Sequence, residues 1–326
     1  MKKMIFVRAA AAFAALSLAL TSCGEKKSAE TTAVSSEPAP AAESKREEKT
    51  VSAQIDKAAF DSLVSSIATA SDAEIAASSW AAAVKKAGVL RVGTTRTSYL
   101  FSQFDETDNS VRGFDAGLFE LLAQYILGDA NKYEITQVTS STREALLQSG
   151  QVDAVFATYS ITESRKKLIS FAGPYYTSKQ AVLVKAGKKG ISGVEDLAGK
   201  TVATQSGSTG PTILAQFAPD AIVQEFKDDT EARTALQQGR IDAYVTDYTL
   251  LLNAIARNPS TYWLVGTPFG PEDNYGIGLP LGSDGVAFVN AFLKKIIADG
   301  TWEKLWLVSL GSRTGIETAP SAPVIE

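Results

Sequence analysis

Apolar and polar positions along this chain follow two rhythms, one near 3.6 residues and one near 2, and their order predicts the architecture. From Val51 to Ala70, the residues Ile55, Phe60, Leu63, Val64 and Ile67 recur at helical spacing, and Asp72 is placed to cap a second helix running through Trp80 to Lys86. Val89 to Gly93 is a short β-run, followed by a polar loop holding Arg96, Tyr99 and Phe101. An amphipathic helix through Leu118, Leu121, Leu122 and Ile126 follows Gly113-Phe114-Asp115, and Tyr133 to Val138 reads as the next strand. Strand, helix, strand in that order, joined by right-handed crossovers, predicts an α/β fold with helices on both faces of a mainly parallel sheet.

The pattern then repeats. Ala145-Leu146-Leu147-Gln148-Ser149-Gly150-Gln151-Val152-Asp153-Ala154-Val155 is echoed by Ala235-Leu236-Gln237-Gln238-Gly239-Arg240-Ile241-Asp242-Ala243-Tyr244-Val245, each a helix stopped by glycine and followed by a strand. Such units recur by chance. With 326 residues available, however, the echo predicts two similar lobes and a cleft between them rather than one large core. Asp153 and Asp242 occupy equivalent places in the echo and are expected to serve structure in each lobe.

Composition adds compartment and removes several chemistries. Lys2 and Lys3 precede an apolar stretch from Ala9 to Leu20, too short to span a bilayer, and Leu20-Thr21-Ser22-Cys23 closes it in the manner of a lipoprotein signal with Cys23 as the acylated residue. Residues 1–22 are expected to be removed as a signal peptide, and 23–50, poor in large apolar side chains, to form a disordered tether to the outer face of the cytoplasmic membrane. The helical segment 51–78 either packs on the domain or floats in that linker. With one cysteine and no histidine, disulfides, thiolate clusters, zinc sites and histidine-dependent hydrolysis are excluded. A net charge of −4 with interspersed signs gives no footprint for nucleic acid, so a small molecule is the expected partner.

The candidate chemistry gathers where the first copy of the echo ends. Val152 to Phe156 reads as a buried strand that runs out into the hydroxyls of Thr158 and Ser160, and Thr162 is placed to cap a helical turn containing Arg165. A carboxylate arriving there meets hydroxyls, the amides of a helix start and a planar bidentate donor. Junctions of this kind also occur without any ligand. Gln205-Ser206-Gly207-Ser208-Thr209-Gly210-Pro211 is another strand-to-helix turn whose amides suit an anion, although it reads equally as an ordinary tight turn; it lacks the Gly-Lys-Ser/Thr of a P-loop. Asp247 ends the strand Val245-Thr246-Asp247, a position where aspartate is also a common helix cap.

Gly113-Phe114-Asp115, Ser160-Ile161-Thr162-Glu163-Ser164-Arg165, Gly207-Ser208-Thr209-Gly210 and the strand ending in Asp247, in that order between about Trp80 and Leu310, resemble the bacterial family 3 extracellular solute-binding proteins, the polar amino-acid receptors of ABC importers. The resemblance implies a two-lobed, periplasmic-binding-protein-like fold of type II, with lobe 1 from 79–178 and 276–312, lobe 2 from 179–275, and crossovers near Tyr176 to Gln180 and Phe269 to Gly276. It implies that Arg165, with Ser160 and Thr158, and with Ser208 and Thr209 of lobe 2, holds the ligand's α-carboxylate, and that Asp247 holds the α-ammonium. Arg96 and Arg143 sit as the side-chain arginines of the glutamate and aspartate receptors do, so glutamate is the expected ligand, with glutamine, asparagine and aspartate as alternatives. The further expectations are a monomer that needs no cofactor, meets the membrane through its lipid and delivers its amino acid to ABC permease subunits. A dehydratase-like enzyme on the same scaffold is the rival reading. Residues 313–326, rich in Thr, Pro, Ser and Ala, read as a loose tail.

Overall fold

The computed structural model describes residues 54–258 and 260–325. The segments expected to be a signal peptide and a tether, with Cys23, lie outside the described residues. Helices α1 (Lys57–Val64), α2 (Asp72–Ala76) and α3 (Ser79–Ala87) lead into β1 (Leu90–Thr94) and a small hairpin sheet of β2 (Thr97–Ser98), β3 (Ser102–Asp105) and β4 (Ser110–Arg112). Then come α4 (Phe114–Leu127), β5 (Tyr133–Gln137), α5 (Arg143–Gln148), β6 (Ala154–Phe156), α6 (Glu163–Lys166) and the long β7 (Ser170–Lys185). The second lobe holds β8 (Thr201–Gln205), α7 (Gly210–Phe217), β9 (Ile222–Phe226), α8 (Asp229–Gln237), β10 (Ala243–Asp247) and α9 (Tyr248–Arg257). The long β11 (Tyr262–Leu279) returns to α10 (Gly285–Ala298), α11 (Thr301–Trp306) and α12 (Ser312–Thr314).

All strands but the hairpin form one eight-stranded sheet of order β5-β1-β6-β11-β7-β10-β8-β9. β1 runs parallel to β5 and β6, and β8 runs parallel to β9 and β10, so each end of the sheet is the parallel core of one lobe. β7 and β11 pair antiparallel along their length and carry the chain from one lobe to the other. Their register shifts between Val265 and Phe269, between Phe269 and Asp273, and between Tyr275 and Ile277, the region where the crossover is expected. The largest apolar cluster, around Phe60, Leu90, Phe101, Phe114, Phe119 and Phe292, belongs to lobe 1, and two smaller clusters cover the two faces of the lobe-2 strands.

Three expectations are refined here. Of the segment 51–78, the described residues from 54 onward pack on lobe 1: Phe60, Val64, Ile67 and Ile75 are buried in its core, and Arg112 of β4 donates to both carboxylate oxygens of Asp61 at 2.7 Å. The single helix expected from Asp72 to Lys86 is two helices. Ser71 caps the first in a capping box, and at the break the Ser78 hydroxyl accepts from Ala81 while Asp284 accepts the free amides of Ser79 and Trp80. The tail is not loose within the described residues. Arg313 is buried and donates to Ser309 O, Leu100 O and Tyr99 O, and Ile325 is buried against the lobe-1 core. A Pro- and Ala-rich segment has no hydrophobic period to announce that docking.

Candidate functional site

The echoed aspartates show how each lobe orients its part of the cleft. Asp153 accepts from the Arg91 amide at 2.8 Å while its own amide donates to Arg91 O; Asp242 accepts from the Thr201 amide at 2.9 Å while its own amide donates to Thr201 O. Each closes a two-way bond with the neighbouring strand just before β6 or β10 begins. At and beyond the far ends of those strands, Ala157, Thr158, Ser160, Thr246 and Asp247 line the cleft.

In lobe 1, Thr158 has φ +42°, a left-handed backbone that a β-branched residue adopts only under constraint. The constraint is Asp115 of the Gly-Phe-Asp motif, whose carboxylate accepts from the Thr158 amide at 2.9 Å and from the Tyr175 hydroxyl at 2.7 Å. Burial pushes the Asp115 carboxyl up to about 7. Thr162 caps α6 as expected, its hydroxyl accepting from Arg165 N at 3.2 Å. The buried Arg165 guanidinium donates to Ser160 O at 2.8 Å and, across the cleft, to Gly207 O of lobe 2 at 2.9 Å, with Glu144 at 3.6 Å from its Nε.

Gly207 has φ +72°, and a β-carbon there would lie 2.9 Å from the backbone of Ser141 in lobe 1, so only glycine allows the lobes to approach this closely. The Ser208 hydroxyl turns back on its own loop, donating to Gln205 O and accepting from Gly210 N, and Thr209 Oγ1 donates to Asp273 Oδ2 at 3.4 Å. Asp247 stands at the N-cap position of α9 without capping it. Its buried carboxyl accepts instead from Gln180 Nε2 and from the Tyr275 hydroxyl. Burial, reinforced by the neighbouring Asp273 carboxyl, pushes Asp247 up to about 8, and burial raises Asp273 as well.

Thr158, Ser160, Arg143, Ser208, Thr209 and Asp247 line one cavity between the lobes. Arg165 lines an adjoining cavity, which shares Ser208 and Thr209 with the first. Arg143 is buried, with its guanidinium 3.7 Å over the Tyr159 ring and Nη1 donating to Ala157 O; its Nε has no hydrogen-bond partner. Burial and the Arg165 charge pull it down to about 10. Arg96 is not brought to either cavity. It lies half-buried over the Phe104 ring at 3.8 Å. Asp228 and Asp229 line the first cavity from the start of α8 and have no role in the sequence reading, nor have Gln180 and Asp273; Asp115 enters it as part of the Gly-Phe-Asp motif, without a role of its own. Only Asp115 lies in a motif that could have drawn attention to it. Among the described residues no cluster of His, Cys, Asp and Glu is arranged to hold a metal ion.

Two lobes joined by the strand pair β7 and β11 thus face each other across the cleft, with an arginine and hydroxyls on one wall and an aspartate on the other. The family model for bacterial extracellular solute-binding proteins, family 3, matches residues 90–307. The chain belongs to this family. It is 38% identical over 227 residues to the ABC transporter glutamine-binding protein GlnH of Bacillus subtilis, covering 69% of this chain and 82% of that one. It is 34% identical over 215 residues to the glutamate-binding protein GluB of Corynebacterium glutamicum, covering 63% and 72%. Among solved structures, an ancestral arginine-binding protein bound to glutamine superimposes with a TM-score of 0.63 at 35% identity, covering 69% of this chain and 98% of that one. Among the described residues no helix is long and apolar enough to cross a membrane.

Proposed function

We propose that this family 3 solute-binding protein is the amino-acid receptor of an ABC importer, exported and held at the outer face of the cytoplasmic membrane through acylated Cys23, and that it hands its ligand to the permease subunits. The observation that carries the reading is the opposition of Arg165, Ser160 and Thr209 to Asp247 within one cleft, which matches the two charges of an α-amino acid. The α-carboxylate takes the guanidinium and hydroxyls, exchanging the Gly207 carbonyl for a charged acceptor. The α-ammonium takes Asp247. The relatives above, transport receptors for glutamine and glutamate by name, support a binding role over an enzymatic one.

At the side-chain end the geometry favours glutamine. With Arg96 elsewhere, Arg143 is the remaining cation, and Asp228 and Asp229 line the same cavity. Asp229 binds Arg233 through one oxygen at 2.7 Å, and its other oxygen lies beside the Tyr244 hydroxyl without a well-aligned hydrogen bond. An amide offers its carbonyl to Arg143 and its N–H groups to these carboxylates, whereas a glutamate carboxylate gains Arg143 but meets two like charges. One observation favours glutamate, the buried Arg143 Nε without a partner. Calorimetric titration against the common amino acids, with mass analysis of the recovered ligand, tests both levels. Tightest binding of glutamine, returned unchanged, is expected. A preference for glutamate moves the ligand to the acidic class, and no binding by any amino acid, or turnover, overturns the receptor reading.

A further inference from the structure

Asp247 and Asp273 bring their carboxyl groups together at the junction of the two cavities. Asp247 ends β10 and is held by Gln180 of β7 and Tyr275 of β11. Asp273 lies on the hinge strand β11 and accepts from one hydroxyl of each lobe, Ser160 at 3.1 Å and Thr209 at 3.4 Å. Every hydrogen-bond donor to the pair is neutral. Both groups are buried, and among the described residues neither is ion-paired. The other charged or titratable groups around them are Arg143 and Glu144 on α5, Arg165 on α6 and the Tyr275 hydroxyl on β11, with Asp228 and Asp229 at the start of α8 lining the cavity of Asp247 and Glu272 of β11 lining that of Asp273. The two guanidinium groups act on the pair only through space, since their hydrogen bonds go to Ala157 O, Ser160 O and Gly207 O.

Two buried carboxylates without a cation between them repel each other and have lost their hydration, so the arrangement is stable only with a proton shared between them. An α-ammonium carries the same single positive charge as that proton and adds further N–H donors. We propose that Asp247 and Asp273 hold one proton between them in the ligand-free receptor, and that the α-ammonium of an arriving amino acid takes its place. In the exchange a carboxyl O–H bond breaks, the proton leaves to solvent, and ammonium N–H groups donate to the freed carboxylates; no redox change occurs and the charge of this subsite is conserved. Asp273 thereby becomes a second ammonium-binding residue beside Asp247, and its place on the hinge ties the exchange to the strands that join the lobes.

The inference rests on the amino-acid receptor reading, and its test separates the two. Wild-type protein is titrated with glutamine, or with whichever amino acid the panel selects, by calorimetry in phosphate and in imidazole, whose ionisation enthalpies differ, at about pH 6.5, where release of about one proton per ligand is expected. Over the acid side of neutrality the affinity should rise about tenfold per pH unit and level off above about pH 8. In Asp273→Asn the proton release should fall to less than half while an amino acid still binds. The wild-type pH series stands by itself if that variant does not fold. Binding with the same apparent enthalpy in both buffers and a flat pH profile overturns the inference and leaves the receptor intact. Proton release undiminished in Asp273→Asn overturns the role of Asp273, and absence of any binding overturns the receptor reading and this one with it.

Discussion

At the scale of single residues, Arg165 and Arg143 are the two guanidinium groups that the proposed reading sets against the ligand's acceptors. Both are buried and held mainly by backbone carbonyls, which fix their orientation without neutralising their charge. Replacing Arg165 by alanine is expected to weaken binding of every amino acid more than tenfold, since truncating one partner of a desolvated charge pair costs roughly 2–5 kcal/mol. Arg165→Lys should recover only part of this, because a point charge lacks the planar fork. Calorimetry of both variants checks the prediction, and a loss under tenfold in Arg165→Ala contradicts it. Arg165 was legible because strand, hydroxyls, cap and guanidinium follow each other in sequence. Arg96 was not, since its stacking on Phe104 depends on the β2–β3 turn, which no spacing rule specifies. Asp273 had no local signal at all; its partners Ser160, Thr209 and Asp247 lie far away along the chain.

At the scale of elements, α1 is the part whose role periodicity left undecided. Its Phe60 is fully buried against lobe 1, and its Lys57 and Asp61 bind the hairpin through Asp105, Asp108 and Arg112. Helical spacing of Ile55, Phe60, Leu63, Val64 and Ile67 revealed an apolar face but not what that face meets. Because α1 lies on lobe 1 and contributes nothing to either cleft cavity, Phe60→Ala should lower stability by about 3–5 kcal/mol while leaving amino-acid affinity unchanged. Denaturant unfolding alongside calorimetry checks this; a loss of affinity with unaltered stability contradicts it. The echo was more informative, because Asp153 and Asp242 each close the same two-way bond with a neighbouring strand. A repeated structural duty left a repeated sequence.

At the scale of the whole molecule, the buried carboxyls set the dependence of stability on pH. Asp115, Glu120, Asp229, Asp247 and Asp273 are all raised, chiefly by burial, and so hold protons more tightly folded than unfolded. Unfolded carboxyls lose their protons near pH 4, whereas Asp115 and Asp247 keep theirs to about 7 and about 8. Across that window the folded chain binds more protons than the unfolded one, so stability falls as pH rises. Glu74, Asp105, Asp108, Asp242 and Asp284 are shifted down by their hydrogen-bond partners, and their contribution is lost only below that window. The ligand-free protein should therefore melt a few degrees lower near pH 8 than near pH 5, as calorimetric scans can show. A melting temperature that rises over this range contradicts the assignment.

On the proposed reading β7 and β11 are the hinge; their irregular register lies between two regularly paired lobes. Arg165 to Gly207 O and the close passage of Gly207 by Ser141 are contacts that only closed lobes make. On that reading a ligand bound by groups of both walls would draw the lobes together, because only the closed state completes its contacts. Small-angle X-ray scattering of the purified receptor during titration with its amino acid measures this directly. The radius of gyration is predicted to fall and to saturate at the ligand concentration that saturates calorimetric binding, with no such fall in Arg165→Ala. Full calorimetric saturation of the wild type with an unchanged radius of gyration would contradict a receptor that closes on its ligand.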